Sequence, residues 1–292
     1  MFTIATARDA YNAIQNGCPI VDARADSETS PPLYGALSLE DAERLSSCIL
    51  FGADPADAAT SALATKVASS VKSLAGRIAV FPHAELRDFY ESFPFIASPP
   101  AGLTNPSLPH CVGRNVFLGS VHHATDTSVL AALRLTAVVN CIGGSFGESA
   151  AGTARAQGLV LSRFEWEDHS TFSILREMAA AAAAIEHLRA SGESSRVLVH
   201  CIAGVSRSPS AVAAWLMWLD PEARANTASD ALALLSAARA AVRVNDGFAF
   251  QLGQFQEAVM KAGGRGAPRH AVEEQIALLL SQRELSKGEP KS

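Results

Sequence analysis

The sequence predicts an α/β protein of two domains. Three observations carry that prediction. Short apolar segments alternate with helix-forming stretches through both halves of the chain. Between the halves, "ASPPAGLTNPSLP" (residues 97–109) gathers proline, glycine and small polar residues and breaks the apolar periodicity. The 292 residues also exceed the ~100–200 of a usual single domain. At 48% hydrophobic and 18% charged, the composition supplies a core to each half. The expected division is a first domain over 1–97, a linker over 98–107, a second domain over 108–262 and a tail over 263–292.

Taken in order, "ARDAYNAIQNG" predicts a helix closed by Gly17. Strands follow at "PIVDAR", "CILFG" and "RIAVF", with an alanine-rich helix from about Asp57 and an aromatic helix in "AELRDFYESFPF". In the second half "NVFLGS", "AVVNCIG" and "LVLSRFEW" predict strands. "TFSILREMAAAAAAIEHLRASG" then places Ile174, Met178, Ile185 and Leu188 at near-helical spacing. "RVLVH" has the continuous apolar character of a buried parallel strand. "SPSAVAAWLMWL" continues as a helix with Pro209 in its first turn. "NDGFAFQLGQFQEAV" predicts a helix capped by Asn245, with Phe248, Leu252, Phe255 and Val259 as its core stripe. The tail carries a short amphipathic pattern over 272–285.

Several function classes are disfavoured by composition. A formal net charge of -5 gives no general attraction to nucleic acid or anionic membrane. The longest apolar runs, "MAAAAAAI" and "AVAAWLMWL", fall short of the ~20 residues a bilayer-spanning helix needs. The start "MFTIATARDAYNAI" lacks a signal-peptide pattern. Five cysteines (Cys18, Cys48, Cys111, Cys141, Cys201), odd in number and without C-x-x-C spacing, indicate reduced thiols in the cytoplasm, with the nucleus as the alternative. His110, Cys111, His122 and His123 are not at zinc-finger spacing, and no metal or other cofactor is expected.

The chemistry lies in "RVLVHCIAGVSRSPS". Between a buried strand and a helix, the loop of Ile202, Ala203, Gly204, Val205 and Ser206 can turn its N–H groups around a tetrahedral anion. Arg207 adds a planar fork that binds two oxygens of a phosphoryl group. The same field lowers the pKa of Cys201 and makes it a thiolate nucleophile. Ser208 can donate its hydroxyl to the sulfur, and His200 braces the loop.

This C-x5-R arrangement resembles the protein tyrosine phosphatase superfamily, and "HCIAGVSRSPS" resembles the dual-specificity phosphatase signature HC-x-x-G-x-SRS. "VFLGS" and "AVVNC" resemble that family's opening and central strands. "RAAVRVNDGFAFQL" resembles its stretch R…PN-x-GF-x-x-QL, with Val244 in place of proline and Asn245 in a supporting role. The likeness covers residues 108–259. It implies a cysteine-based phosphatase domain with a central, mainly parallel sheet flanked by helices. It also implies a general acid about thirty residues before the cysteine. Asp168 fits, since 201 − 168 = 33, with Glu165 and Glu167 as rivals. Neutral Ile202 and Val205, together with Ser206 where glucan phosphatases carry glycine, favour a phosphoprotein substrate. The alternative is a catalytically silent phospho-binding scaffold.

The first half resembles a rhodanese-like domain in "PIVDARADSETSPPLYGAL" and "GRIAVFPHAELRDFYESFPF". Its loop "FGADPADA" lacks the cysteine of active members, which implies a non-catalytic domain. That architecture is the one of MAP kinase phosphatases and brings a protein kinase into view as partner. The place of their arginine-rich docking cluster holds Glu40, Asp41 and a lone Arg44. Cys141 ends a strand that this fold sets near the catalytic loop, as a redox partner of Cys201 or as a core thiol.

Overall fold

The computed structural model describes residues 3–4, 7–15, 20–22, 48–53, 78–82 and 108–288. The chain divides into two compact units, Met1–Ser107 and Leu108–Ser292. In the first unit, β1 (Thr3–Ile4), α1 (Ala7–Gln15), β2 (Ile20–Asp22), β3 (Cys48–Ala53) and β4 (Ile78–Pro82) are described. The strands form a four-stranded sheet in the order β1-β4-β3-β2, with every neighbouring pair parallel. The alanine-rich and aromatic helices expected of this half lie outside the described residues. So do Gly17, Cys18, the linker 98–107, and Glu40, Asp41 and Arg44.

The second unit runs β5 (His110–Gly113), β6 (Val116–Ser120), α2 (Val121–Thr125), α3 (Thr127–Ala132), β7 (Ala137–Asn140), α4 (Gly144–Ala156) and β8 (Val160–Arg163). It continues with α5 (Leu175–Ala190), β9 (Val197–Cys201), α6 (Arg207–Trp218), α7 (Ala228–Ala238), α8 (Asp246–Lys261) and α9 (Arg269–Gly288). Five strands form one mixed sheet in the order β5-β6-β9-β7-β8. Only β5 is antiparallel to its neighbour.

Strand β9 lies at the centre, and all five of its residues are buried. That position explains its unbroken apolar run, because a central parallel strand is covered on both faces. One group of helices, α5 and α6 with α7, α8 and α9, packs around β9 and its neighbours, while α2 and α4 form a second group on the strands. Helix α6 is buried along its whole length, so it needs no polar face. Helix α8 buries Phe248, Leu252, Phe255 and Val259, and α9 buries Val272 and Ile276. Ile174 precedes α5 as its N-cap, while Met178, Ile185 and Leu188 face the core from inside it.

The register sets Ser120 beside Cys201 and Asn140 beside His200. The carboxyl ends of three neighbouring strands therefore converge, which is where parallel α/β sheets place their sites. The strand expected over "LVLSRFEW" stops at Arg163. Phe164 N–H still bonds the Asn140 carbonyl at 2.8 Å, and the chain then leaves the sheet as a loop that leads to α5.

Candidate active site

Cys201 is the last residue of β9, and its thiol is buried. Its Sγ accepts from the Gly204 N–H at 3.2 Å and from the Ser208 hydroxyl at 3.3 Å. Burial alone would raise the thiol pKa. Hydrogen bonds from Ser208 outweigh it, helped by the Arg207 charge and the Val205 N–H, and the net direction is down. The loop can close this tightly because Gly204 holds φ +71°, where a Cβ would stand 2.5 Å from the Gly119 carbonyl oxygen. The start of α2 and the segment before α8 clamp it further: the Ile202 carbonyl accepts from Val121 N–H at 3.0 Å and the Val205 carbonyl from Arg243 N–H at 2.9 Å.

Arg207 opens α6 and is buried to 8% exposure. One terminal nitrogen donates to the Trp166 carbonyl at 3.2 Å. Its Nε lies 3.6 Å from Asp168 Oδ2 and has no hydrogen-bond partner among the described residues. Of the three candidate acids, only Asp168 reaches this arginine. Glu165 turns to Arg163 and lies over Gly143, while Glu167 is exposed.

The acid loop is fastened from α8. Asn245 is the predicted N-cap, accepting from Phe248 N–H at 2.9 Å. Its amide nitrogen donates to Asp168 Oδ1 at 2.9 Å and to the Ser206 hydroxyl at 3.3 Å, so one side chain joins the acid to the nucleophile loop. A Cβ on Gly247 would stand 1.7 Å from the Ser170 carbonyl oxygen, so helix and loop meet where no side chain fits. Gln251 accepts from Ile174 and Leu175 N–H at 2.7 and 2.9 Å and donates to the Phe172 carbonyl at 2.8 Å. Gly247 and Gln251 stand with Asn245 in the stretch "RAAVRVNDGFAFQL", but their contacts with the acid loop are not visible in that pattern. Gly247 and Gln251, four residues apart, share one face of α8.

A dual specificity phosphatase catalytic-domain model matches residues 116–258, which include every one of these groups. Mouse dual specificity protein phosphatase 13B is 33% identical over 152 residues, covering 52% of this chain and 74% of that protein. The chain belongs to the dual-specificity phosphatase family. A probable dual specificity protein phosphatase of Dictyostelium discoideum is 30% identical over 47% of this chain and 45% of its own length. For rat dual specificity protein phosphatase 5 the identity is 32%, over 50% and 35%. The chain thus spans less than half of each of these two relatives. The crystal structure of human DUSP28 is similar with a TM-score of 0.46 and 27% identity, over 54% of this chain and 97% of that one.

Other residues around this dual-specificity phosphatase loop divide into supports and bystanders. His200 is fully buried with Nδ1 3.3 Å from the Cys201 carbonyl oxygen, and burial lowers its pKa to about 4, so it stands neutral. Asn140 shapes the turn after β7, donating to the Gly147 carbonyl and accepting from Ile142 N–H, each at 3.0 Å. Cys141 is fully buried, and its N–H bonds the His200 carbonyl at 2.9 Å. Burial and the neighbouring Cys201 charge push its thiol pKa well up, against the opposite pull of Arg207. Cys111 donates to the Gly113 carbonyl at 3.3 Å, and His123 Nδ1 accepts from Ser120 N–H at 2.9 Å. Among the described residues no group of three or more His, Cys, Asp and Glu side chains could hold a metal ion. Nor is any described helix long and apolar enough to cross a membrane.

Proposed function

We propose that the second unit hydrolyses phosphate esters on proteins, taking phosphotyrosine and phosphoserine or phosphothreonine, through a cysteinyl-phosphate intermediate. The observation that supports this best is the Cys201 sulfur. It is buried, holds two donated hydrogen bonds and carries a lowered pKa, and Arg207, whose charge helps to lower it, lies 3.6 Å from Asp168. The thiolate attacks phosphorus, an S–P bond forms and the ester P–O bond breaks. Arg207 and the loop N–H groups hold the equatorial oxygens. Asp168 gives its proton to the leaving oxygen. It then takes one from the water that attacks phosphorus, which frees phosphate and returns the thiolate to the Ser208 hydroxyl. These steps balance without a metal.

Two features favour phosphoprotein over inositol lipid. The loop side chains Ile202, Ala203 and Val205 carry no charge, and Ile202 is 40% exposed and can meet a protein surface. A protein kinase as substrate, and a rhodanese-like first domain that docks it, belong to the same proposal. Binding of a MAP kinase by residues 1–107 would support them, and absence of binding would retire them. The setting of Cys141 beside the nucleophile also supports a redox step. Peroxide oxidises the Cys201 thiolate to sulfenic acid, and Cys141 then displaces water to form a disulfide. Mass spectrometry after mild peroxide should find the Cys201–Cys141 crosslink; sulfenic or sulfinic Cys201 alone would sink that step.

The central test is a panel of phosphotyrosine, phosphoserine and phosphothreonine peptides offered to wild type, Cys201→Ser and Asp168→Ala. Turnover by wild type, lost with Cys201→Ser and greatly reduced with Asp168→Ala, is expected. Equal and negligible turnover by all three would make the chain a phospho-binding scaffold instead.

A further inference from the structure

The arginine of "RAAVRVNDGFAFQL", Arg239, takes no part in the chemistry above, yet its guanidinium lies against the outside of the nucleophile loop. It is the C-cap of α7, which packs on β5. Nε donates to the Gly204 carbonyl at 3.2 Å, and one terminal nitrogen donates to the Ala203 carbonyl at 3.0 Å. The other terminal nitrogen lies 3.2 Å from His110 Nδ1. Burial, with the Arg239 charge adding to it, lowers the His110 pKa to about 3, so this ring is neutral and Nδ1 can accept.

We propose that Arg239 is a positioning residue that determines which way the amides of the phosphate-binding loop point. In a trans peptide the C=O and the following N–H point in opposite directions, and no cis peptide bond occurs among the described residues. Drawing the Ala203 carbonyl outward therefore turns the Gly204 N–H inward, where it donates to Cys201 Sγ at 3.2 Å. Drawing the Gly204 carbonyl outward turns the Val205 N–H inward, and that N–H is one of the groups that lower the Cys201 pKa. One side chain outside the loop thus aims two donors inside it. With Nε and both terminal nitrogens directed at the loop and His110, Arg239 is oriented as a strut rather than as a receptor for a second anion. Burial lowers the pKa of Arg239 while the Cys201 charge raises it, so the guanidinium also feels the nucleophile. A lysine would keep the charge but could not span two carbonyls and a ring at once.

This role rests on the reading of the loop as a phosphoryl cradle, and the test keeps the two apart. In the full chain, Cys201 is alkylated with iodoacetamide across pH and its peptide quantified by mass spectrometry, with and without tungstate as an unreactive tetrahedral oxyanion. Arg239→Ala should move the alkylation midpoint up by about one pH unit and raise the half-protecting tungstate concentration about tenfold. Arg239→Lys keeps the charge but not the span of two carbonyls, so it should raise both the midpoint and the half-protecting tungstate concentration nearly as far as Arg239→Ala, a loss that removal of charge alone would not produce. Wild-type midpoints and wild-type protection in both variants would overturn the role of Arg239 alone. If Arg239→Ala fails to fold, wild-type tungstate protection in Arg239→Lys overturns it by itself. A wild-type chain whose Cys201 reacts only in the ordinary thiol range, unprotected by tungstate, would overturn the phosphatase reading and this proposal with it.

Discussion

The nucleophile loop and the acid loop meet across one site but are built in different ways. The first is a single stretch from Cys201 to Ser208. Backbone geometry and a helix start bring its groups together, and Cys201, Ser206, Arg207 and Ser208 are all buried. The second is exposed over residues 167–171 and is held by side chains from α8, 77 residues away for Asn245 on Asp168 and 79 for Gln251 on Phe172. On the proposed mechanism, charge stabilisation is thus local and enclosed, while proton delivery is tertiary and fastened at a few points. A buried short-range loop shares its load among many contacts, whereas an exposed loop can be released by one substitution.

The largest test of that contrast strikes the enclosed side. Arg207→Lys keeps the charge but loses the fork, and turnover should fall about 10³-fold or more. The loss should be nearly the same for aryl and alkyl phosphates, because the equatorial oxygens are common to both. Steady-state kinetics on a phosphotyrosine and a phosphoserine peptide would check it, and a loss confined to one of them would break the assignment. Asp168→Asn comes next, at about 10²-fold on phosphotyrosine. Here the loss should grow on phosphoserine, whose alkoxide leaves less readily than a phenoxide. Equal losses on both peptides would remove Asp168 as proton donor.

The same contrast explains what could be read without coordinates. The nucleophile loop was legible because its chemistry is contiguous: Cys201, Gly204, Arg207 and Ser208 stand within one strand-to-helix turn. Asp168 was preferred over two rival acids only through the family resemblance. Its choice over Glu165 and Glu167 depends on Arg207 and Asn245, and no local pattern reports contacts at that range. The roles of Gly247 and Gln251 were hidden for the same reason, although Asn245 announced the helix they sit on. Among secondary elements, β5, α2 and α3 are too short to show a period. Helix α4 carries Gly144, Gly147 and Gly152, which weaken its propensity. Helix α7 could have been found, since Thr227 and Asp230 form a capping box ahead of "ALALL".

A smaller effect is expected where the acid loop is fastened. Gly247→Ala puts a methyl group 1.7 Å from the Ser170 carbonyl oxygen, so the loop must move off α8. Turnover should fall about tenfold, part of the way towards Asp168→Asn, while the pH profile of Cys201 alkylation stays that of wild type. Asn245→Ser separates the two duties of that residue, because serine still caps the helix but cannot donate an amide to Asp168. It should keep the melting temperature and lose activity, whereas Asn245→Ala should lose both, with about 1 kcal/mol of stability gone through the cap. A Gly247→Ala protein with shifted alkylation would show that the two loops are not independent.

The smallest expected effect returns to the enclosed side and reads out as acid sensitivity. Three buried histidines surround the nucleophile loop, with pKa values lowered chiefly by burial to about 3 for His110 and about 4 for His123 and His200. Their folded values lie below the ordinary 6.5 of the unfolded chain, so between those limits the unfolded state binds more protons. Stability should therefore be flat above about pH 6.5 and fall as pH drops towards 4. At pH 6 the contribution of His200 is only roughly 0.8 kcal/mol, and it grows with further acidification. The acid loop adds no comparable buried group, since His169 is exposed and bonded to the Thr171 hydroxyl at 2.7 Å. Thermal melts from pH 7 to 4.5 of wild type, His200→Gln and His169→Gln separate the two sides. The slope should flatten in His200→Gln and stay unchanged in His169→Gln. The same slope in all three would mean that acid acts elsewhere, and the enclosed loop would lose its claim to be the pH-sensitive half of the site.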